Sequence, residues 1–255
     1  MSEPKIALLA SASDDAQAAL RALEALYTAV SPEDADIIVA LGGDGFMLQT
    51  QLRFMNSGVP VYGMNQGTVG FLMNEFRAED LPQRLARAKK ATIHPLLMSA
   101  TDAFGETHEE MAFNEVSLFR QSAQAARLKI DVDGSERLAD LVCDGLMVAT
   151  PQGSTAYNLS AHGPILPLKA PLLAMTPVSA FRPRNWRGAL LPNSAKVRIA
   201  VLEHEKRPVN AVADNTEIKS AVEVHIREDR QSSGILLFDP EHGWEERILD
   251  EQFRY

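Results

Sequence analysis

The sequence lacks the features that mark secreted, membrane-spanning and nucleic-acid-binding proteins. It contains one cysteine, Cys143, so no disulfide can form within the chain and nothing points to an oxidising compartment. No apolar run reaches the ~18 residues of a membrane span, and the first residues lack the basic flank and apolar stretch of a signal peptide. Positive charge is in deficit, with a net charge of −9, which argues against a general binder of nucleic acids or anionic membranes. We therefore expect a cytoplasmic protein with no nucleic-acid or membrane partner.

Metal-ligand patterns are also missing. The six histidines show no zinc-ligand spacing, and with a single cysteine the sequence predicts no structural metal. Cys143 follows Leu141 and Val142 in an apolar run, so it is predicted to be a small buried side chain and not a reactive thiol.

The first third of the chain has the hydrophobic pattern of a parallel sheet with crossover helices. Apolar runs that predict buried strands alternate with helical patterns, which is typical of βαβ units. The predicted strands are residues 5–10, 36–41 and 59–64, and the predicted helices are residues 14–30, 46–55 and 79–90.

After residue 95 the pattern changes to short runs, several of which alternate with period two. Such runs indicate an antiparallel sheet, and Asp133-Gly134 is a favourable hairpin turn between two of them. The predicted strands are residues 111–119, 128–132, 196–202 and 221–227. We therefore predict an α/β N-terminal domain with a Rossmann-like parallel sheet over residues 1–95, a β-rich domain over residues 96–235, and a tail, residues 236–255, that packs back onto a domain.

A glycine-rich turn follows the second predicted strand, in the stretch IIVALGGDGFML at residues 37–48. Glycines let backbone N–H groups approach a ligand closely, and with the start of the next helix they form a site for anions. No Lys-Ser or Lys-Thr pair follows, so the turn is not a Walker-type phosphate loop. Asp44 would repel a bare phosphate, but it suits a magnesium-bridged phosphate or the acceptance of a proton from an attacking hydroxyl. The turn is equally consistent with an aspartate that caps a helix.

Three further stretches suit recognition of a nucleotide. Residues 64–71 (MNQGTVGF) form a second glycine-bearing turn, which would lie beside the first at one sheet edge. Asn114-Glu115 lies in a predicted strand, where a carboxylate can accept hydrogen bonds from a ribose diol. Residues 143–160 (CDGLMVATPQGSTAYNLS) run into a predicted helix capped by Ser-Thr, with Tyr157 as a stacking face. Taken singly, each stretch also fits an ordinary loop, strand or capped helix.

Together and in this order, the four stretches resemble the NAD kinase family. The resemblance is carried by GGDG at residues 42–45, an NxGxxGF-like motif at 65–71, Asn114-Glu115, and TPxGSTAYxxSxxGP at 150–164. It spans residues 5–214 and implies that family's architecture, an α/β domain followed by a β domain. It also implies transfer of the terminal phosphate of ATP to the 2′-hydroxyl of the adenosine ribose of NAD, giving NADP. The divalent cation, Mg²⁺, would be bound with the ATP phosphates and not in a protein cage.

The resemblance also implies roles for particular residues. Asp44 would accept the proton of the 2′-hydroxyl, and Gly45 would lie against the dinucleotide. Asn114 and Glu115 would hold hydroxyl or base groups on the adenosine side, and Asp144 would contact NAD. The other implied contacts with NAD or ATP are Gly42, Gly43, Phe71, Gln152, Thr155, Ala156, Tyr157, Asn158, Leu159, Ser160, Asp214 and Asn215. From the family we also expect a homo-oligomer, either a dimer or a tetramer.

The chain departs from the family pattern at several positions. Gln152 stands where threonine or serine is common, His162 stands where glycine is common, and Asn215 replaces the usual glycine after Asp214. The arginine-rich loop at residues 182–187 (RPRNWR) also differs from the commoner pattern. We expect the local contacts and the turn backbone to differ at these positions.

Other functions remain as alternatives. Another GGDG-type kinase would take a lipid or sugar acceptor, although the chain shows no apolar acceptor groove. A non-catalytic NAD(P)-binding regulator would have little use for a carboxylate near phosphates, so Asp44 argues against it. An oxidoreductase is disfavoured, because GGDG is not GxGxxG and no acidic residue lies in a convincing place about 20 positions further on.

Overall fold

The computed structural model describes residues 4–66, 70–242, 246–249 and 253. The chain divides into two compact units. The first unit comprises Met1–Ile93 and Ser232–Tyr255, and the second comprises His94–Gln231. In the described parts of the chain, no helix is both long and apolar enough to cross a membrane.

The first unit is a mixed α/β structure around one sheet. Its strands are β1 Ile6–Ala10, β2 Ile37–Leu41, β3 Val61–Asn65, β4 Asn74–Glu75, β5 Lys89–Ile93 and, from the end of the chain, β18 Gly234–Phe238. Its α-helices are α1 Asp14–Glu24, α2 Asp44–Arg53 and α3 Leu81–Arg87, with 3-10 turns at Pro32–Asp34 and Pro240–His242. The sheet order is β1-β2-β3-β18-β5, and β4 pairs with β3. All of these pairings are parallel except that between β18 and β5.

Local sequence explains where the first helix begins and ends. Ser13 caps α1, because its hydroxyl accepts the Ala16 N–H at 3.4 Å, and the apolar side of the helix buries Leu23 against the sheet. The pattern predicted a helix to residue 30, but α1 ends at Glu24. The following residues return to the sheet, where the Val30 N–H donates to the Ile6 carbonyl at 2.9 Å.

The second unit contains two antiparallel six-stranded sheets. One has the order β10-β9-β14-β17-β6-β7, and the other has the order β13-β12-β11-β8-β15-β16. The strands of the first are β6 Leu96–Asp102, β7 Thr107–Ala112, β9 Ala126–Val132, β10 Ser135–Cys143, β14 Val197–Val201 and β17 Ala221–Glu228. Those of the second are β8 Glu115–Arg120, β11 Gly145–Ala149, β12 Leu172–Val178, β13 Ala189–Pro192, β15 Val209–Ala213 and β16 Thr216–Ile218. A 3-10 turn, Gly153–Thr155, and a short helix, α4 Tyr157–Ser160, follow β11.

Side chains from both sheets form one apolar core in this unit. Fully buried members include Leu118 and Val148 of one sheet and Ile199 and Val224 of the other. Cys143 belongs to the same core, and burial raises the pKa of its thiol to about 12, so the prediction of a small buried side chain is confirmed. The α/β unit and the antiparallel β unit together confirm the predicted fold class.

The structure confirms one detail of the predicted strands and corrects another. Asp133-Gly134 is a two-residue turn between β9 and β10, with φ of 52° and 75°, as predicted. The single strand predicted over residues 111–119 is wrong, because β7 and β8 lie in different sheets. The chain leaves one sheet for the other at Phe113 and Asn114, and this break places Asn114-Glu115 at the start of β8.

Candidate functional site

The GGDG turn lies at the carboxyl end of β2, where ligands bind in parallel sheets. Gly42 is buried, while Gly43, the N-cap residue of α2, and Gly45 are exposed. Asp44 is the first residue of α2 and is partly buried. Its acidic side chain therefore lies at the positive end of the helix dipole.

The Asp44 carboxylate accepts two backbone hydrogen bonds from the second glycine turn. Oδ2 accepts the Phe71 N–H at 3.0 Å, and Oδ1 accepts the Leu72 N–H at 3.1 Å. Burial raises the pKa of Asp44, whereas these two hydrogen bonds and the positive charge of Arg247 lower it. A carboxylate has about four lone-pair sites, so it can accept further hydrogen bonds beside these two.

Gly70 allows this close approach. A Cβ atom at position 70 would lie 2.4 Å from the Asp44 carboxylate oxygens, which no side chain can do. The two glycine turns predicted to be neighbours are therefore in contact through Asp44 and residues 70–72. Gly67, Thr68 and Val69 of the predicted motif lie outside the described residues.

In the second unit, Asp214 fastens the Asn114-Glu115 pair. Its carboxylate accepts the backbone N–H groups of Phe113 at 2.7 Å, Asn114 at 3.0 Å and Glu115 at 3.2 Å. Asp214 is in the turn between β15 and β16 with φ of 47°, next to the exposed Asn215. In this arrangement Asp214 fixes the backbone that presents the pair.

Glu115 is a partly buried acid with one buried, unused oxygen. Burial, and then the charge of Asp214, raises the pKa of Glu115 from its usual 4.5 to about 8. Its Oε2 atom is buried and accepts no hydrogen bond from the described residues. Such an atom is costly unless a ligand or solvent group satisfies it, which makes it a candidate contact for a hydrogen-bond donor.

Gln152 presents a second acceptor of the same kind. Its Nε2 group donates to Asn114 Oδ1 at 3.2 Å, while its Oε1 atom is buried with no donor among the described residues. A shorter threonine or serine hydroxyl at this position has less reach toward Asn114. The departure noted in the sequence therefore orients Asn114 and adds one acceptor.

The segment that contains Gln152 is held tightly against residues 113–114. Thr150 donates its hydroxyl to the Phe113 carbonyl at 2.6 Å and its N–H to the Asn114 carbonyl at 2.9 Å. A Cβ atom on Gly153 would lie 2.1 Å from the Asn114 carbonyl oxygen, so only glycine fits there. The loop after β11 and the start of β8 are thus joined by hydrogen bonds into one polar cluster.

Ser154 and Thr155 do not cap a helix, so that prediction is wrong. They lie in the 3-10 turn Gly153–Thr155, and the residue before α4 is Ala156, which has no capping side chain. The Ser154 hydroxyl instead bonds to the Pro151 carbonyl at 2.7 Å and accepts the Leu166 N–H at 2.9 Å. The Thr155 hydroxyl donates to the Gln152 carbonyl at 3.3 Å.

Asn158 connects this turn to the sheet. Its Nδ2 group donates to the Ser154 and Pro164 carbonyls, and its Oδ1 atom accepts the Thr176 hydroxyl at 2.6 Å. The side chain is fully buried, and its hydrogen bonds hold the turn in place. Nearby, His162 has φ of 63°, the left-handed region that favours glycine, which agrees with the family preference at that position.

Among the predicted residues in this unit, Asp144, Tyr157, Leu159 and Ser160 are exposed or half-buried. Tyr157 is 42% exposed, and its ring centroid lies 5.5 Å from that of Phe119. Asp144 Oδ1 accepts a hydrogen bond from Arg120 Nε at 2.6 Å. Leu159 is half-buried and Ser160 is exposed. Phe119 and Arg120 were not identified from sequence, where Phe119 is simply the last residue of a predicted strand and Arg120 follows it.

One group among the described residues has metal-ligand geometry. The ligand atoms of Asp102, Glu106 and His108 lie within 4.8 Å of one another at the hairpin between β6 and β7. Asp102 Oδ1 already accepts the Phe104 and Glu106 N–H groups, so the cluster serves to close the turn. None of the predicted nucleotide-contact residues belongs to it.

A glycine turn that holds a carboxylate, without a phosphate-loop lysine, fits the class of kinases in which the substrate's own hydroxyl attacks. The comparisons identify the family. Residues 8–92 match the ATP-NAD kinase N-terminal domain, and residues 113–235 match the ATP-NAD kinase C-terminal domain. The chain belongs to the ATP-NAD kinase family.

Relatives match over nearly the whole chain. An NAD kinase of Rhizobium meliloti is 60% identical over 97% of this chain and 96% of its own length. An NAD kinase of Brucella suis is 59% identical over the full length of both chains. Among solved structures, yeast NADH kinase complexed with NADH has a TM-score of 0.83 at 22% identity, covering 98% of this chain and 88% of that one. An NAD kinase from Archaeoglobus fulgidus in complex with ATP has a TM-score of 0.72 at 22% identity, covering 93% and 95%.

The raised pKa of Glu115 predicts a pH-dependent gain in stability for Glu115→Gln. The unfolded chain loses this proton near pH 4.5, whereas the folded protein keeps it to about pH 8. Wild-type stability therefore falls between these values, by up to about 1.4 kcal/mol for each unit of pKa shift. Glutamine stays neutral, so the difference in thermal midpoint between variant and wild type should be small near pH 4.5 and should grow toward pH 8. A difference that is constant with pH would contradict a buried, titrating Glu115.

Proposed function

We propose that the protein phosphorylates the 2′-hydroxyl of the adenosine ribose of NAD, with ATP as donor, and releases NADP. The observation that carries the assignment of the NAD contacts is the pair of buried acceptors, Glu115 Oε2 and Gln152 Oε1, beside Asn114. The hydroxyl and amino groups of an adenosine can donate to the Gln152 oxygen, and its hydroxyls can both donate to and accept from a Glu115 carboxyl that keeps its proton to about pH 8. Membership of the family supports the reaction, and the acceptors support where the nucleoside binds.

Asp44 is the proposed general base. The 2′-hydroxyl attacks the terminal phosphorus of ATP, the bond between that phosphorus and the bridging oxygen breaks, and the hydroxyl proton passes to the Asp44 carboxylate. The backbone N–H groups of Phe71 and Leu72 hold the carboxylate in one orientation for this transfer. Most of the remaining acceleration comes from alignment of the two substrates and neutralisation of charge.

A divalent cation, Mg²⁺, would neutralise the charge of the ATP phosphates. Mg²⁺ prefers about six oxygen ligands. Asp44, the carboxylate of this turn, is assigned to the proton, so the ATP phosphates and water would hold the ion. Gly43 and Gly45 are exposed residues at the start of α2, where backbone N–H groups suit the phosphates themselves.

The proposal is tested by incubating the purified protein with NAD and ATP, with and without Mg²⁺, and assaying NADP with an NADP-specific dehydrogenase. Metal-dependent formation of NADP is the expected result. Polyphosphate and NADH, offered in place of ATP and NAD, define the range of donors and acceptors. Tight NAD binding without turnover would favour a regulator, and no NAD binding would favour a kinase with a lipid or sugar acceptor.

We further propose a cytoplasmic location and a homo-oligomeric assembly, a dimer or a tetramer, on the basis of the family resemblance. The mass of the purified protein by light scattering tests the assembly, and 27.9 kDa would indicate a monomer.

A further inference from the structure

Arg247, from the last part of the chain, contacts the segment that holds Asp44. Its Nη1 group donates to the carbonyl oxygens of Gly70 at 3.2 Å, Phe71 at 2.9 Å and Met73. The guanidinium also lies 5.7 Å from the ring centroid of Phe238 on β18, and the neighbouring Ile248 is buried. No motif in the sequence singles out this arginine.

The segment of residues 70–73 is therefore held in place by hydrogen bonds to its backbone N–H groups and to its backbone carbonyls. The Asp44 carboxylate accepts the N–H groups of Phe71 and Leu72, and the Arg247 guanidinium donates to carbonyls in the same segment. Hydrogen bonds to charged groups are stronger than those between neutral groups, and Arg247 contributes several from one planar head. Loss of Arg247 would leave these carbonyls without their cation and free the segment to shift, and Asp44 would shift with it.

The charge of Arg247 also acts on Asp44 directly. Among the described residues, Arg247 supplies the positive charge that lowers the pKa of Asp44 against the effect of burial. Burial in turn lowers the pKa of Arg247, while the charges of Asp44, Asp239 and Tyr62 raise it. Asp239 is paired with Arg84 at 2.6 Å and accepts the Tyr62 hydroxyl at 2.7 Å.

We infer that Arg247 is a positioning residue for the phosphoryl transfer: it holds residues 70–73 so that the Asp44 carboxylate keeps the orientation in which it accepts the substrate proton. This inference rests on the proposed role of Asp44. It gives the C-terminal segment a function in catalysis, because a residue of that segment fixes the geometry of the base.

Two substitutions separate geometry from charge. Arg247→Gln removes both the cation and most of the carbonyl contacts. Arg247→Lys keeps a cation but replaces the Nη1 donor of all three contacts with a shorter ammonium group. For Arg247→Gln we expect kcat to fall about 10- to 100-fold, as for the loss of hydrogen bonds to a charged group, with the KM for NAD within a few-fold. The acidic limb of the kcat/KM profile should move to higher pH, since the pKa of Asp44 rises without the cation. Arg247→Lys should lower kcat less and leave the limb in place.

Arg53→Gln is the matched control, because Arg53 ends the helix that Asp44 begins. Its guanidinium lies over the Phe54 ring at 5.0 Å, and it is not part of the Arg247 contacts with residues 70–73. This variant should retain the wild-type kcat and pH profile. A wild-type kcat and unmoved limb in Arg247→Gln, or the same changes in the control, would overturn the inference.

A measurement without turnover keeps this inference distinct from the proposed function. The ionisation of the Asp44 carboxyl can be followed by ¹³C NMR in the full-length wild type and in each variant. We expect a higher pKa in Arg247→Gln whether or not the wild type forms NADP, and an unchanged pKa would overturn the inference. If Arg247→Gln does not fold, Arg247→Lys decides the question: the shorter ammonium group cannot place the same donor against all three carbonyls, so kcat should fall, and an unchanged kcat would overturn the inference.

Discussion

Asp44→Asn is expected to reduce NADP formation by about 10²–10⁴-fold, the usual contribution of a general base. The asparagine amide cannot accept the hydroxyl proton, although it keeps nearly the size and shape of the carboxylate. NAD affinity should stay within a few-fold, because the proposed acceptors for the nucleoside, Glu115 and Gln152, are unchanged. Steady-state kinetics measures the rate of NADP formation, and calorimetry measures the affinity for NAD.

The position of Asp44 demands a stability control. Its oxygens accept the Phe71 and Leu72 N–H groups, and one of them becomes an NH₂ group in the variant. A buried donor left without a partner costs about 1–3 kcal/mol, so the thermal midpoint should fall moderately. A variant with reduced stability and near-wild-type turnover would mean that Asp44 is a helix-end clamp and not the base.

Asp214→Asn is expected to destabilise the protein and to weaken NAD binding. The Asp214 carboxylate accepts three consecutive backbone N–H groups, and an asparagine at this position opposes at least one of them with its own donors. We expect a loss of about 1–3 kcal/mol of stability for each donor left unpaired. The KM for NAD should rise more than kcat falls, because Asn114 and Glu115 lose their fixed backbone while Asp44 is untouched. Denaturant unfolding and steady-state kinetics measure both effects.

Asp133→Asn is the matched control for Asp214→Asn. Asp133 also lies in a hairpin turn at positive φ, and its carboxylate accepts one backbone N–H, that of Lys196, at an exposed site. The same chemical change there should cost less than about 1 kcal/mol and leave the KM for NAD unaltered. Equal effects of the two substitutions would show that Asp214 is an ordinary turn residue.

Much of the fold could be predicted from the sequence because it depends on local periodicity. Apolar runs separated by helical patterns indicated the parallel strands β1, β2 and β3, and alternating runs indicated the antiparallel strands. The GGDG turn was placed correctly at the end of β2, since glycines after a buried strand mark such a turn. These signals require no knowledge of residues distant in sequence.

The missing parts depend on contacts between residues far apart in the chain. Residues 234–238 return to the first sheet as β18 between β3 and β5, and nothing in that short run specifies its neighbours. The strand predicted over residues 111–119 breaks because Asp214, about a hundred positions later, binds the backbone at the break. Arg247 contacts residues 70–73 across a larger separation still, 174 to 177 positions. Periodicity reports which side of an element is buried but not which element covers it.

In the candidate site, too, local sequence predicted some features, while others depend on contacts between distant residues. The motifs identified residues that could contact a nucleotide. They did not distinguish residues that bind the nucleotide from residues that hold the surrounding backbone in place. Asn158 was expected at the ligand, and its side chain is fully engaged by Ser154, Pro164 and Thr176. The open acceptors are instead on Glu115 and Gln152, which only the hydrogen-bond geometry reveals.

The most direct test of the central claim is the identity of the reaction product. The purified wild-type protein would be incubated with NAD, ATP and Mg²⁺, and the mixture followed by ³¹P NMR. We predict a new phosphomonoester signal from a phosphate on the 2′-oxygen of the adenosine ribose, formed in equal amount with ADP. Unchanged NAD with ATP converted to ADP and inorganic phosphate, or with no reaction at all, would contradict the account.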